Sequence, residues 1–507
     1  MNRRCAHALT LLAVVALGAW LRFHHLATVP GWYPDEGSNI AIAAALARGE
    51  SAYLAFGQSS FINGHPHLFY LLLAGLFRLT GVDILGARGL SAGLGVLTLG
   101  LLYGVSRAMG TRRLALVAAA FYAVYPAAVV TSRMAFTYNL LAPLYLLTLY
   151  GLWRGVERGQ RAWIALAALA TGAAMITDLA AVGLLAFLLL ALLLTRWQAL
   201  RWALPLALLP LLAWGAAMTA WAGDAFLDDV AFTLSRTGHS FALQLAQVVF
   251  YRTTLEGDLW LAVGGAGLLW PVGPRPRWWT AGLFGLSLLV LTANTPAFGQ
   301  ASYFLIPLFP LAAWGVGTLV DRGAPVLAAR LEEAWRSRLS GRRAGRLAAG
   351  LTALLLAALL VLPPLSMLAE GVWLGYGLYL ARFGNTLADP SAAGRVLSYV
   401  NSRAAPDDVI LASPTIAWRL QAHAADFQMA VAATGQDTRH FPAHLPPARF
   451  RFDPRLENAT YAILDPLWRD WGAAQMPEVA QMIERIESDW LLEMTDGPFA
   501  VYRNPAR

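Results

Sequence analysis

The sequence predicts an all-α polytopic membrane protein of about eleven transmembrane helices. Juxtamembrane helices lie on its outer face, and a small α/β domain follows outside the bilayer. Three observations predict this. First, 58% of the 507 residues are hydrophobic and only 13% charged, with a mean hydropathy of +0.52; soluble domains sit near roughly 45–50% and 25%. Second, apolar runs of spanning length recur, with arginine clusters between them. Third, the chain turns polar from Ser391 onward and takes on strand and amphipathic-helix patterns.

The N-terminus, MNRRCAHALTLLAVVALGAWLRF, has the basic start and apolar run of a signal peptide. No small-residue cleavage site follows and many spans do, so it reads as an uncleaved first helix. Further spans are expected at roughly 84–105, 114–131, 136–153, 162–177, 180–195, 202–222, 258–273, 278–293, 302–320 and 346–367. The arginine clusters are Arg107, Arg112 and Arg113; Arg154, Arg158 and Arg161; Arg196 and Arg201; Arg275 and Arg277; and a basic loop from Arg322 to Arg346. With Arg3 and Arg4 cytoplasmic, every cluster falls on the cytoplasmic side, as basic loops do. One condition attaches. The segment PHLFYLLLAGLFRL, residues 66–79, must not cross, or each later cluster would face outward. At 14 residues it suits a helix at the outer interface.

The outward pieces are then a first loop (24–83), a turn at Thr131–Ala135, a tip near Asp178, a loop at 223–257, the stretch NTPAFGQAS (294–302) and the tail from about 369. Residues 1–368 form the expected membrane domain and 369–507 the outer one. Acidic residues gather on the outer face: Asp35, Glu36, Asp178, Asp224, Asp228, Asp229, Glu256 and Asp258. In the tail, GRVLSYVNSRA and VAQMIERIES read as helices, and VILAS, ATYAILD and FAVYRN as strands.

Composition also excludes. All 38 basic residues are arginine, which together with the Ala, Gly, Leu and Pro content reads as a GC-rich bacterial genome. The net charge of +8 is therefore no argument for nucleic acid. A lone Cys5 rules out an internal disulfide and a cysteine metal site. No internal repeat is evident, which counts against an inverted-repeat transporter.

The residues with chemistry sit outside. In WYPDEGSNI (32–40), Pro34 starts a helix and Asp35 and Glu36 lie in its first turn, where the dipole favours negative charge. The alternative is functional: a partly desolvated carboxylate at the interface makes a general base. In NGHPH (63–67), His65 and His67 suit helix entry, and His65 can also donate a hydrogen bond in a site. Arg78, Arg88, Arg133, Arg236 and Arg252 stand near the bilayer, where arginine either snorkels to headgroups or binds a phosphate with its guanidinium fork. Arg88 in GARGLSAGLG and Arg133 in TSRMAFTYN are the two expected to face the interior.

Taken in order, PDEGSNIAIAAALARGE, GHPHLFYLLLAGLFRLTG, ARGLSAGLGVLTLGLLYGVSRAMG, SRMAFTYNLLAPLYLLTLY and the later YFLIPLFPLAAWG (303–315) resemble segments of the GT-C glycosyltransferases. The likeness is to the protein O-mannosyltransferase and aminoarabinose transferase group. It covers residues 1–160 well and 200–320 more loosely. It implies a GT-C fold and transfer of one sugar, with inversion, from a polyprenyl-phosphate carrier to an acceptor outside the cytoplasm. It also implies Asp35 as the catalytic acid–base residue, Glu36 as the second acidic position, and Arg88 as the arginine opening the second span. Phosphate binding is expected of Arg88, Arg133 and Arg236, with His65 and Tyr303 lining the substrate site, unless a divalent ion supplies the charge. The chain departs from relatives in having His65-Pro66-His67 for His-Pro-Pro, and Gln300, Ala301 and Ser302 where a basic residue is common. The competing readings are a transporter or lipid flippase, and a GT-C scaffold that ligates polymer. Protein, lipid and glycan all stay open as acceptors.

Overall fold

The computed structural model describes residues 3–50, 66–235, 259–270, 277–294, 302–335, 341–373 and 387–507. Helices dominate. In chain order they begin with α1 (Arg3–Phe23), α2 (Pro34–Ala47), α3 (Leu68–Thr80), α4 (Ile84–Met109), α5 (Arg112–Val124), α6 (Pro126–Ser132) and α7 (Tyr138–Arg158). Then come α8 (Arg161–Met175), α9 (Val182–Arg196), α10 (Leu200–Ala222), α11 (Asp224–Ser235), α12 (Leu259–Leu269), α13 (Arg277–Asn294), α14 (Phe309–Thr318), α15 (Ala324–Trp335) and α16 (Gly341–Trp373).

Local chemistry sets several boundaries. Asp83 caps α4 by accepting from the Leu85 and Gly86 amides at 3.0 and 3.3 Å. Thr111 caps α5 through the Leu114 amide at 3.0 Å, and such caps satisfy amides that have no partner inside the helix. Pro126 divides the expected span 114–131. Proline disfavours helical backbone at the residue before it, and α5 and α6 meet at a 57° bend. The basic segment 322–346, expected as a loop, is helical over Ala324–Trp335, joined to α14 through a π turn at Leu319–Gly323. Its sequence, APVLAARLEEAW, is rich in helix formers.

Five helical stretches among the described residues are long and apolar enough to cross a membrane, or six if the bent pair counts as one. The helices at the expected spans 162–177, 258–273 and 278–293 are shorter apolar ones. So is α3. At 13 residues it is about 20 Å long, too short for a hydrocarbon core of about 30 Å. Phe69, Tyr70, Leu73, Ala74 and Phe77 form its buried face, while Leu71 and Leu72 are exposed.

The polar tail folds as a three-layer unit. Its helices are α17 (Pro390–Asn401), α18 (Pro414–Ala417), α19 (Phe427–Ala432) and α20 (Pro477–Asp489). Its strands are β1 (Val409–Ala412), β2 (His423–Ala425), β3 (Tyr461–Leu464), β4 (Leu491–Asp496) and β5 (Phe499–Arg503), in the order β2-β1-β3-β5-β4. β1 is parallel to β2 and β3, and β5 is antiparallel to β3 and β4. The strand period of two splits the core. Val409 and Leu411 face the side holding α19 and α20, and Ile410 and Ala412 face the other. β2 and β4 escape the sequence patterns. β2 has three residues, and β4, LLEMTD, is an edge strand with both leucines exposed.

The second face of the sheet is where the tail meets the membrane part. Ile410, Ile463 and Val501 share one hydrophobic cluster with Val396 and Val400 of α17, Ile40 and Ala43 of α2, and Phe69 and Leu73 of α3. Backbone bonds reinforce it. Trp32 and Ala388 exchange two, each 2.9 Å. Gly37 is needed at the contact, because a Cβ there would stand 1.9 Å from the Pro414 carbonyl oxygen. Two ion pairs add to the seam: Arg449 with Asp229 at 3.2 Å, both buried, and Arg451 with Glu50 at 3.0 Å.

Candidate active site

The adjacent carboxylates part company at the start of α2. Successive helical residues point about 100° apart, so one turns inward and the other does not. Glu36 is 1% exposed and meets Arg88, 0% exposed, in a bidentate pair. Arg88 Nε donates to Oε1 at 2.8 Å and Nη2 to Oε2 at 2.7 Å. Arg88 also donates to the carbonyls of Leu26 at 3.0 Å, Pro30 at 2.8 Å and Gly31 at 2.9 Å. Those five bonds use all five guanidinium N–H groups. Arg133, 1% exposed, is placed in the same way. It donates to the carbonyls of Leu21 at 2.5 Å, His24 at 2.6 Å and Val29 at 2.8 and 3.2 Å.

The expectation that Glu36 works on substrate, and that Arg88 and Arg133 hold a phosphate, therefore meets a different geometry. These three side chains pin the segment 21–31, which runs from the end of α1 toward α2. Burial without water forces every such group to find a protein partner, and the backbone of that segment provides it. Arg78 is likewise engaged with carbonyls, those of Ala47 and Leu46 at the end of α2, at 3.0 and 3.4 Å. His65, Arg236, Arg252 and the Tyr303 side chain lie outside the described residues.

Glu36 has a second duty. Its Oε1 also accepts the Ala135 amide at 3.0 Å, and Asn39, one turn on, donates to the Ala135 carbonyl at 2.8 Å. Two side chains of α2 thus hold both sides of one residue in the turn before α7. That fixes the start of α7, where Tyr138 stands.

Asp35 is half-buried on another side of α2. The Tyr70 and Tyr138 phenols both lie within electrostatic reach of Asp35 and of Asp178. Burial, then the charges of Asp178 and Asp35, raise the Tyr70 phenol above its ordinary pKa, so it stays a donor. Neighbouring contacts close the ring. The Leu68 amide donates to the Ile176 carbonyl at 2.8 Å, tying α3 to the Asp178 tip. Trp214 Nε1 donates to His67 Nδ1 at 3.0 Å. Tyr33 meets Phe136 edge-on at 5.7 Å, and Tyr138 meets Phe304, beside Tyr303, at 4.9 Å.

The starts of α2, α3 and α7 and the Asp178 tip therefore converge on one place. Chemically it offers a carboxylate with two phenols beside it. Among the described residues, no three His, Cys, Asp or Glu side chains converge as a metal site. Tyr70, Tyr138 and Asn39 are the members that sequence reasoning missed. A tyrosine in an apolar helix reads as core or interface, and only the fold shows what its hydroxyl faces.

A family model described as dolichyl-phosphate-mannose-protein mannosyltransferase matches residues 64–221. No curated protein matches the sequence. Among solved structures, the apo form of ArnT from Cupriavidus metallidurans superposes with a TM-score of 0.66 at 17% identity, covering 99% of each chain. The form bound to undecaprenyl phosphate gives 0.64 at 16%, covering 98% of each. The oligosaccharyltransferase AglB from Archaeoglobus fulgidus, in complex with an inhibitory peptide and a dolichol-phosphate, gives 0.52 at 13%, covering 99% of this chain and 74% of that one. At these identities the likeness is one of fold. The chain has the GT-C fold of multi-pass membrane glycosyltransferases.

Proposed function

We propose that this GT-C protein is an integral-membrane glycosyltransferase that moves a single sugar, with inversion, from a polyprenyl-phosphate carrier to an acceptor outside the cytoplasm. The observation that carries the reading is the division of labour at the start of α2. Glu36 is bound by Arg88 and the Ala135 amide, while Asp35 is half-buried on another side of the helix, within electrostatic reach of Tyr70 and Tyr138. The fold shared with ArnT supports the donor class, since one ArnT structure is bound to undecaprenyl phosphate.

In the proposed step an acceptor hydroxyl attacks the anomeric carbon. The carbon–oxygen bond to the lipid phosphate breaks, a bond to the acceptor oxygen forms, and the acceptor proton passes to Asp35. A half-buried carboxylate is a stronger base than a solvated one. Tyr70 and Tyr138 orient hydroxyls around it. We assign Arg88, Arg133 and Glu36 to holding the loop that carries Asp35. Charge for the departing phosphate then falls to residues such as Arg236, or to a divalent ion. The protein sits in the bacterial inner membrane with its N-terminus cytoplasmic, about eleven spans, and its C-terminal domain outside.

Asp35→Asn keeps the shape and removes the base. Transfer from a polyprenyl-phosphate sugar donor should fall about a hundredfold or more, with thermal unfolding unchanged. Activity near that of the parent enzyme would remove Asp35 from the reaction. A transporter would instead move labelled lipid across liposomes without forming product.

A further inference from the structure

Beside the seam between the tail and α2 lies an open cleft of about 890 Å³. Its lining includes Ser391, Gly394, Ser398 and Asn401, which share one face of α17, together with Gln421 and Arg419. Hydroxyl and amide side chains line it together with Pro390, Leu397 and Met494, two arginines are present, and none of its lining residues is a carboxylate. One of those arginines, Arg395, is already paired with Asp496. Arg419 is not. It is exposed, and among the described residues its guanidinium makes no hydrogen bond or ion pair. What holds it is two indole rings. Its guanidinium carbon lies 5.6 Å from the Trp32 ring and 5.6 Å from the Trp418 ring, and those rings are 5.3 Å apart.

Stacking on aromatic faces fixes an arginine without hydrogen bonds. It uses the face of the guanidinium and leaves the in-plane N–H fork unspent. The backbone of the same turn is clamped as well. Asn401 donates to the Arg419 carbonyl at 3.1 Å and accepts the Gln421 amide at 3.1 Å. Position is the other half of the argument. Trp32 lies three residues before Asp35, within roughly 10 Å of chain, and its backbone is stitched to Ala388. The next residue, Asp389, caps α17 through the Ser391 and Ala392 amides. The cleft and the candidate base thus hang on one rigid connection.

We propose that Arg419, poised on Trp32 and Trp418, is an oxyanion-binding residue that receives a phosphate-bearing group of a substrate in this cleft. This rests on the glycosyltransferase reading for the word substrate, but not for the binding itself. The phosphate belongs either to the acceptor headgroup or to the lipid carrier, and the two sources separate by experiment.

The full chain, purified in detergent, is titrated with glucose 6-phosphate, with glucose, and with undecaprenyl phosphate. Glucose 6-phosphate should bind more tightly than glucose. Arg419→Gln should weaken it about tenfold or more, Arg419→Lys less, and undecaprenyl phosphate should bind unchanged. If Arg419→Gln weakens undecaprenyl phosphate instead, the site stands and its phosphate is the carrier's. Gly394→Asp is a second probe, since a Cβ there meets nothing within 4 Å; the added carboxylate should weaken the same ligand. A merely structural Arg419 would lower the unfolding temperature and leave all three titrations untouched, and that result overturns the proposal. Because each readout is binding, failure here is distinct from failure of the transferase reading, which Asp35→Asn tests.

Discussion

Asp35 and Glu36 are neighbours in sequence and opposites in environment. A buried ion pair is held less by its mutual attraction than by the cost of leaving either charge alone. Arg88 shows this well, because its five donors meet one carboxylate and three carbonyls. Lysine has three donors on a point charge and cannot reproduce that planar pattern. Arg88→Lys should therefore cost roughly 2 kcal/mol or more of stability, seen as a lower unfolding temperature in detergent. A variant that unfolds with the parent protein, yet loses affinity for undecaprenyl phosphate, would place Arg88 on the substrate instead. From the sequence, the Pro34 helix start and the special character of the acidic pair were legible. Which carboxylate turns inward was not, since that depends on residues 52 and 99 positions away.

At the scale of elements, the parallel strands β1, β2 and β3 each run into a polar residue: Ser413, Asp426 and Asp465. Asp465 accepts from the Ser413 hydroxyl and from the Trp468 amide, while Asp426 caps α19 through the Met429 amide at 2.8 Å. Burial pushes Asp426 up to about 7 and Asp465 up to about 6. An acid whose pKa is higher folded than unfolded keeps its proton only in the folded state between the two values. The contribution of these two groups to stability is therefore greatest at and below about pH 4 and is lost as pH rises toward 7. Asparagine caps helices as well as aspartate does and has no proton to lose. Hydrogen exchange in Phe427–Ala432 should quicken between pH 5 and 8, after correction for intrinsic rates, and Asp426→Asn should flatten that trend. An equally steep trend in the variant would put the cause elsewhere. The strands VILA and YAIL announce themselves by unbroken apolarity, as strands buried on both faces do. The short β2 and the half-polar edge β4 carry no such signal, and pairing alone makes them strands.

For the whole molecule, the sidedness of the arginine clusters depends on α3 staying on one side. Its length and its single buried face agree with that, since a crossing helix of 13 residues would leave part of the hydrocarbon unspanned. Reporter fusions at Val82 and Gly110 should read outside and inside respectively. A cytoplasmic reading at Val82 would reverse every later loop. The tail is anchored on the membrane part through Trp32, Gly37 and the Asp229–Arg449 pair, which the proposed orientation puts on the outer face. Its helix α18 rests on the helix that carries Asp35, so the tail forms one wall around the candidate site.

The sequence by itself marked which segments are apolar enough for lipid and where the chain turns polar, because transfer free energy is a local property. It also determined where helices begin, since caps and prolines act within a few residues. Tertiary structure alone decided which polar groups meet. Glu36, Arg88 and Arg133 bond to backbone that only folding brings near, whereas Asp35, Tyr70 and Tyr138 come together near Asp178 and Arg419 stacks on Trp32 and Trp418. That sorting depends on distances between residues far apart in the chain, and no periodicity or local motif encodes them.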